Sequence, residues 1–272
     1  MRNADVPGPR VRPSRTLRLV LSAGLLVACS SGSTATSAQP GGSAAGASLS
    51  GSITVFAASS LKEAFSTLGK NFEAAHPGVT VTFSFAASSA LSTQITQGAP
   101  ADVFASASGT SMAQVVAAGK ATDPKNFVKN VMEIAVPPAN PAGVGGVNDL
   151  AKAAVKVALC QPQVPCGSTA AKVFANAKIT VKPVTLEPDV KSVLGKVTLG
   201  EVDAGVVYVT DVRAAGTAVK GIPIPADVNA STTYPIAPLK GSGNAAVAQA
   251  FVDYVLSAPG LAVLTGDGFE QP

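Results

Sequence analysis

The sequence predicts an α/β protein in which mostly parallel sheets are covered by helices. Two observations carry this. Strand-like and helix-like segments alternate from residue 53 almost to the end of the chain. The turn from strand to helix is built twice in the same way, as an apolar strand running into Ala-Ala-Ser-Ser at residues 57–60 and 86–89. In open α/β sheets a ligand lies beyond the carboxyl ends of the strands, which is where such turns fall.

The first 50 residues stand apart from that alternation. Arg2, Arg10, Arg12, Arg15 and Arg18 precede or enter an apolar run at residues 17–28, which ends Leu26-Val27-Ala28-Cys29. The run is shorter than the ~20 residues of a spanning helix, and its basic flank and small-residue exit read as an export signal. Leu-Val-Ala-Cys resembles the lipobox of bacterial lipoproteins, which implies removal of residues 1–28 and lipidation of Cys29. Residues 29–50 are rich in Ser, Gly, Ala and Thr and are expected to form a flexible tether.

The net charge of +4 comes from 20 basic and 16 acidic side chains, but five arginines and one aspartate lie in residues 1–28. The remainder balances at 15 of each, with Arg213 its one arginine. Nucleic acid is therefore not an expected partner, because phosphate backbones need clustered Lys and Arg. Any anion must be held without a basic patch.

In chain order, residues 53–56 form a strand and residues 61–73 a helix, with Leu61, Ala64, Phe65, Leu68 and Phe72 on one face. Ser59 or Ser60 is placed to cap it. Residues 79–85 alternate Val79, Val81, Phe83, Phe85 as a strand, and residues 90–97 are helical up to Gly98. Residues 99–106 hold a short buried strand, 109–118 a helix and 131–137 an apolar strand. The Pro- and Gly-rich residues 137–146 connect to a second unit. That unit reads as a short helix at 148–153, a strand at 156–160, helices at 168–177 and 189–199, a very apolar strand at 204–209 and a short strand at 222–225. An extended segment at 232–239 and helices at 245–256 and 261–264 close the chain. The expected division is one lobe from residues 51–130 plus 232–272 and a second from 131–231, with extended crossings near 131–137 and 232–239.

Helix starts carry unpaired N–H groups and the positive end of the dipole, so they suit anions. Besides the two serine junctions, Val164-Pro165-Cys166-Gly167-Ser168 and Glu187-Pro188-Asp189-Val190 open helices in the second unit. Charge-assisted hydrogen bonds contribute ~1.5–3 kcal/mol each, so half a dozen could offset dehydration of a dianion.

Six segments taken in order, residues 53–61, 85–91, 98–107, 164–167, 187–190 and 205–208, resemble the successive motifs of the molybdate-binding proteins of ABC transporters. The resemblance spans about residues 52–269. It implies the type II periplasmic-binding-protein fold, two α/β lobes joined by two crossing segments and closing over the ligand. It also implies capture of molybdate, and tungstate as well, as a monomer serving a permease and its ATPase, with no cofactor and no catalysis. By the same resemblance Ser60 and Ser88 would give hydroxyl and N–H to the oxyanion, Cys166 and Val190 backbone N–H, and Tyr208 its phenol. Cys166 departs from the family's usual Ala, and Ala87 stands where relatives can have a third Ser.

Cys160 and Cys166 are a disulfide candidate, since an exported chain meets an oxidising compartment. An extracytoplasmic thiol oxidoreductase is a rival reading, though their spacing is not Cys-x-x-Cys. The same fold holding sulfate or phosphate is another, and a surface adhesion lipoprotein a third. His76, in Ala-His-Pro-Gly, reads as a solvated helix end rather than a metal ligand or general base, and neither Gly-x-Ser-x-Gly nor a phosphate loop is present.

Overall fold

The computed structural model describes residues 48–272; residues 1–28 and Cys29 lie outside the described residues, as does most of the tether. Strand β1 (Ser50–Ala58) shows how the first half is built. Its period of two sends Ile53, Val55 and Ala57 to one core, and Phe56 to another on the opposite face. The first face is covered by α1 (Lys62–Ala75) and α7 (Ala245–Leu256), the second by α2 (Ser88–Thr96) and α3 (Gly109–Ala117). Phe65 and Phe72 of α1 meet Phe251 of α7 edge-on, with ring centroids 6.2 and 5.4 Å apart. β2 (Gly78–Ala86) and β3 (Val103–Ala105) flank β1 in parallel register, so their carboxyl ends and the helices that follow share one edge.

The second half repeats this with β5 (Val157–Cys160) between β6 (Thr185–Glu187) and β7 (Ala204–Tyr208), all parallel. α4 (Pro165–Ala177), α5 (Val190–Thr198) and α6 (Val209–Ala215) accompany it. Its core is aliphatic, with Val157, Val173, Val193, Val197, Val206 and Val207 fully buried.

Each half keeps its mostly parallel sheet, and the two crossing strands, which pair antiparallel, join them. Nine strands among the described residues follow one continuous order, β2-β1-β3-β9-β4-β7-β5-β6, with β8 (Lys220–Pro223) also on β4. β4 (Lys125–Val136) serves both halves: Lys125–Val131 pairs with β9 (Ser231–Pro238), and Met132–Val136 with β7 and β8, all antiparallel. β4 begins six residues ahead of the predicted strand because Lys125, Asn126, Lys129 and Asn130 break the apolar pattern while the backbone ladder continues. α8 (Ala258–Gly266) is likewise longer than the predicted last helix.

Candidate anion-binding site

Residues from several strand-to-helix turns line one small cavity between the two halves. Its volume is about 10 Å³ for the centre of a water-sized sphere, room for about one such sphere. Ala58, Ala86, Ala87 and Ala107 on its wall are small enough for backbone to come close, and no Lys, Arg or His lines it. The cavity brings together all five predicted contacts, Ser60, Ser88, Cys166, Val190 and Tyr208.

Ser60 sits in a single 3₁₀ turn, Ser59–Leu61, between β1 and α1. The expected serine cap does not form: Leu61 occupies the cap position of α1 and no side chain bonds its first N–H groups. Ser60 Oγ instead lies 2.8 Å from Tyr234 Oη. Ser88, fully buried, begins α2 and also leaves that helix uncapped. Its Oγ accepts the Ala107 N–H at 2.8 Å, so its own proton is left to donate.

α4 starts with Pro165 in its first turn and without a side-chain cap, leaving the Cys166 N–H without an intrahelical acceptor. A disulfide joins Cys166 to Cys160 at the end of β5, with Cα atoms 5.8 Å apart. Gly167 is required beside it, since a Cβ there would stand 2.1 Å from the Gln161 carbonyl oxygen. At α5 the cap is Asp189, whose carboxylate accepts the Ser192 N–H at 3.0 Å, so this acid on the cavity wall faces its own helix and leaves the Val190 N–H free of it.

Tyr208 ends β7 and is 1% exposed, yet its hydroxyl has no hydrogen-bond partner. Thr169, whose hydroxyl gives its proton to Pro165 O at 2.8 Å, and Tyr234, 2.8 Å from Ser60 Oγ, are its nearest hydroxyl neighbours, and neither makes a hydrogen bond with it. Leaving a buried hydroxyl unpaired costs about 1–3 kcal/mol, a cost that an acceptor in the cavity removes. Burial pushes the Tyr208 phenol well above the usual range, so it is a neutral donor.

Three groups that sequence reading missed surround these donors. Asp211, completely buried, accepts the Tyr208 N–H at 3.1 Å and pairs with Lys191 Nζ at 3.0 Å. Lys191, next to Val190, reaches across to Glu63 of α1 at 2.8 Å, the shorter of its two ion pairs and one that spans both halves. Burial would lower the Lys191 pKa, but the Asp211 and Glu63 carboxylates outweigh it and raise it. Tyr234 on β9 is the third. None carries a sequence signal of its own: Lys191 follows a motif residue, Asp211 belongs to the unpredicted α6, and Tyr234 lies in a segment read only as extended. Among the described residues no cluster of His, Cys, Asp or Glu could hold a metal ion.

The sequence profile of the bacterial extracellular solute-binding proteins matches residues 53–270. This chain belongs to that family. Its members serve solute transport, and they work outside the cytoplasm. The solute-binding chain is 44% identical over 248 residues to the molybdate-binding protein ModA of Mycobacterium tuberculosis, covering 91% of this chain and 93% of that protein. Among solved structures, the periplasmic molybdate-binding protein of Azotobacter vinelandii superposes with a TM-score of 0.71 at 20% identity, over 81% of this chain and 99% of that one. The sulfate-binding protein SubI of M. tuberculosis does so with the same score and identity, over 81% and 86%. At that identity both show the two-lobed periplasmic-binding-protein fold alone, and the two names together show that the fold does not choose the oxyanion.

Proposed function

We propose that this solute-binding protein captures molybdate outside the cytoplasm and hands it to the permease of an ABC transporter. The carrying observation is the cavity between the halves, lined by no basic side chain, in which the buried Tyr208 hydroxyl has no protein partner and Ser60, Ser88, Cys166 and Val190 stand around it. The 44% identity to a molybdate-binding protein supports the choice of anion. Tungstate, with the same charge and shape, binds as well. The ligand leaves unchanged, and neither catalysis nor a resident cofactor is part of this reading.

The mechanism is replacement of a water shell by fixed donors. Each hydrogen bond to the dianion contributes ~1.5–3 kcal/mol, and together they offset its dehydration without a counter-charge. Because the donors come from both lobes, residues 51–130 plus 232–272 and residues 131–231, binding favours the closed arrangement. Sulfate is smaller and leaves some donors unpaired, which is the basis of selection. Lipidation of Cys29 holds the protein, as a monomer, at the outer face of the membrane, and the Ser- and Gly-rich tether lets it reach the permease.

Calorimetric titration tests this. Molybdate and tungstate are expected to give heat and sulfate none, and Tyr208→Phe to weaken molybdate about tenfold. The same substitution is expected to raise the melting temperature of the ligand-free protein, because it removes an unpaired buried hydroxyl. Absence of molybdate heat from the folded protein overturns the reading.

A further inference from the structure

Tyr234 is completely buried on the crossing strand β9, opposite Val128 of β4, and its oxygen lies 2.8 Å from Ser60 Oγ. Its ring is fixed edge-on by Phe127, Tyr208 and Phe269, with centroids 6.4, 6.3 and 5.4 Å away. A serine hydroxyl has one proton and two acceptor positions. If Ser60 gave its proton to Tyr234, it would turn lone pairs toward the cavity and repel an oxyanion. If Tyr234 gives its proton to Ser60, the serine proton is free to point the other way. The amide of Asn130 lies beside the Tyr234 hydroxyl and offers its oxygen a donor rather than an acceptor, which leaves Ser60 to take the tyrosine proton. The Asn130 oxygen accepts the Val131 N–H at 3.1 Å, so the donor side of the amide faces the hydroxyl groups, where it gives a proton to Thr210 Oγ1 at 2.8 Å.

We infer that Tyr234 is a positioning residue which, from the crossing strand, donates its phenolic proton to Ser60 Oγ and so turns the serine's own proton toward the bound oxyanion. The strand that joins the two halves thereby sets the polarity of a contact in the first. This rests on the reading that Ser60 touches the anion, and it adds to the site a residue that never touches the ligand. Burial pushes the Tyr234 phenol upward in pKa, in keeping with a neutral donor.

A double-mutant cycle tests the assignment by titrating molybdate into the full-length protein, Tyr234→Phe, Ser60→Ala and the double variant, with the ligand-free melting temperature of each. Tyr234→Phe is expected to weaken binding about tenfold in the parent and less than about twofold in the Ser60→Ala background. A structural role alone would give the same loss in both backgrounds. A fluorinated tyrosine in place of Tyr234 keeps the shape, is a stronger donor, and is expected to tighten binding only while Ser60 is present. Parent-like affinity of Tyr234→Phe, or equal losses with and without Ser60, overturns the inference. Failure of the parent protein to bind molybdate would instead strike the proposed function.

Discussion

α2 and α3 lie side by side, nine residues each, with a serine at the start of each: Ser88 is the first residue of α2, and Ser108 is the cap just before α3. Ser108 turns its hydroxyl onto its own helix and accepts the Thr110 and Ser111 N–H groups at 3.1 and 3.4 Å. Ser88 turns away from its own helix and accepts the Ala107 N–H, from the chain that leads into α3, at 2.8 Å. The first serine satisfies the unpaired donors of its helix; the second leaves those of α2 unspent beside the cavity. The two differ by one position: Ser108 is the cap residue just before its helix, whereas Ser88 is the first residue inside α2, after Ala87, where its hydroxyl serves the neighbouring chain instead of its own helix.

The largest expected effect separates the two. Ser88→Ala should weaken molybdate about ten- to hundredfold by titration. Equal loss from Ser108→Ala would erase the distinction. Next in size is the start of α4, which is tied down by a disulfide rather than by a side-chain cap. Cys160→Ser combined with Cys166→Ser should cost ~2 kcal/mol in denaturant unfolding, since the bridge closes a short loop in the unfolded chain. Any accompanying loss of affinity measures how much the bridge pre-organises the Cys166 N–H. Ser108→Ala should then cost ~1 kcal/mol of stability and leave affinity unchanged, as the loss of a plain cap does. The smallest effect is expected from Glu63→Gln, which removes the charge that Lys191 meets across the halves. Glu63 is 45% exposed, so release of molybdate in stopped flow should quicken only about two- to threefold.

The order of strands and helices was legible because its causes are local. Val79, Val81, Phe83 and Phe85 show period two, and Phe65, Leu68 and Phe72 show the helical stripe, whatever packs against them. What was missed was too short or too polar to carry a pattern: β6 has three residues, α6 has seven, and the first half of β4 is rich in Lys and Asn. The crossing strands were placed, but not their antiparallel pairing into one continuous sheet, which comes from contacts between residues a hundred positions apart. The site divides along the same line. The motif resemblance pointed to Ser60, Ser88, Cys166, Val190 and Tyr208, whereas Tyr234, Lys191 and Asp211 gave no sign.

By itself, then, the sequence determined the alternation of elements, the neutral charge of the chain beyond residue 28 and the small and hydroxyl residues at the strand ends, since these follow from near neighbours and composition. Only the tertiary structure decided which serine hydroxyl stays free to donate, which phenol lies buried without a partner and which lysine spans the halves. Those depend on atoms that approach within 3 Å only after distant segments pack, and no local pattern encodes a hydrogen bond between Ser60 and Tyr234, 174 residues apart.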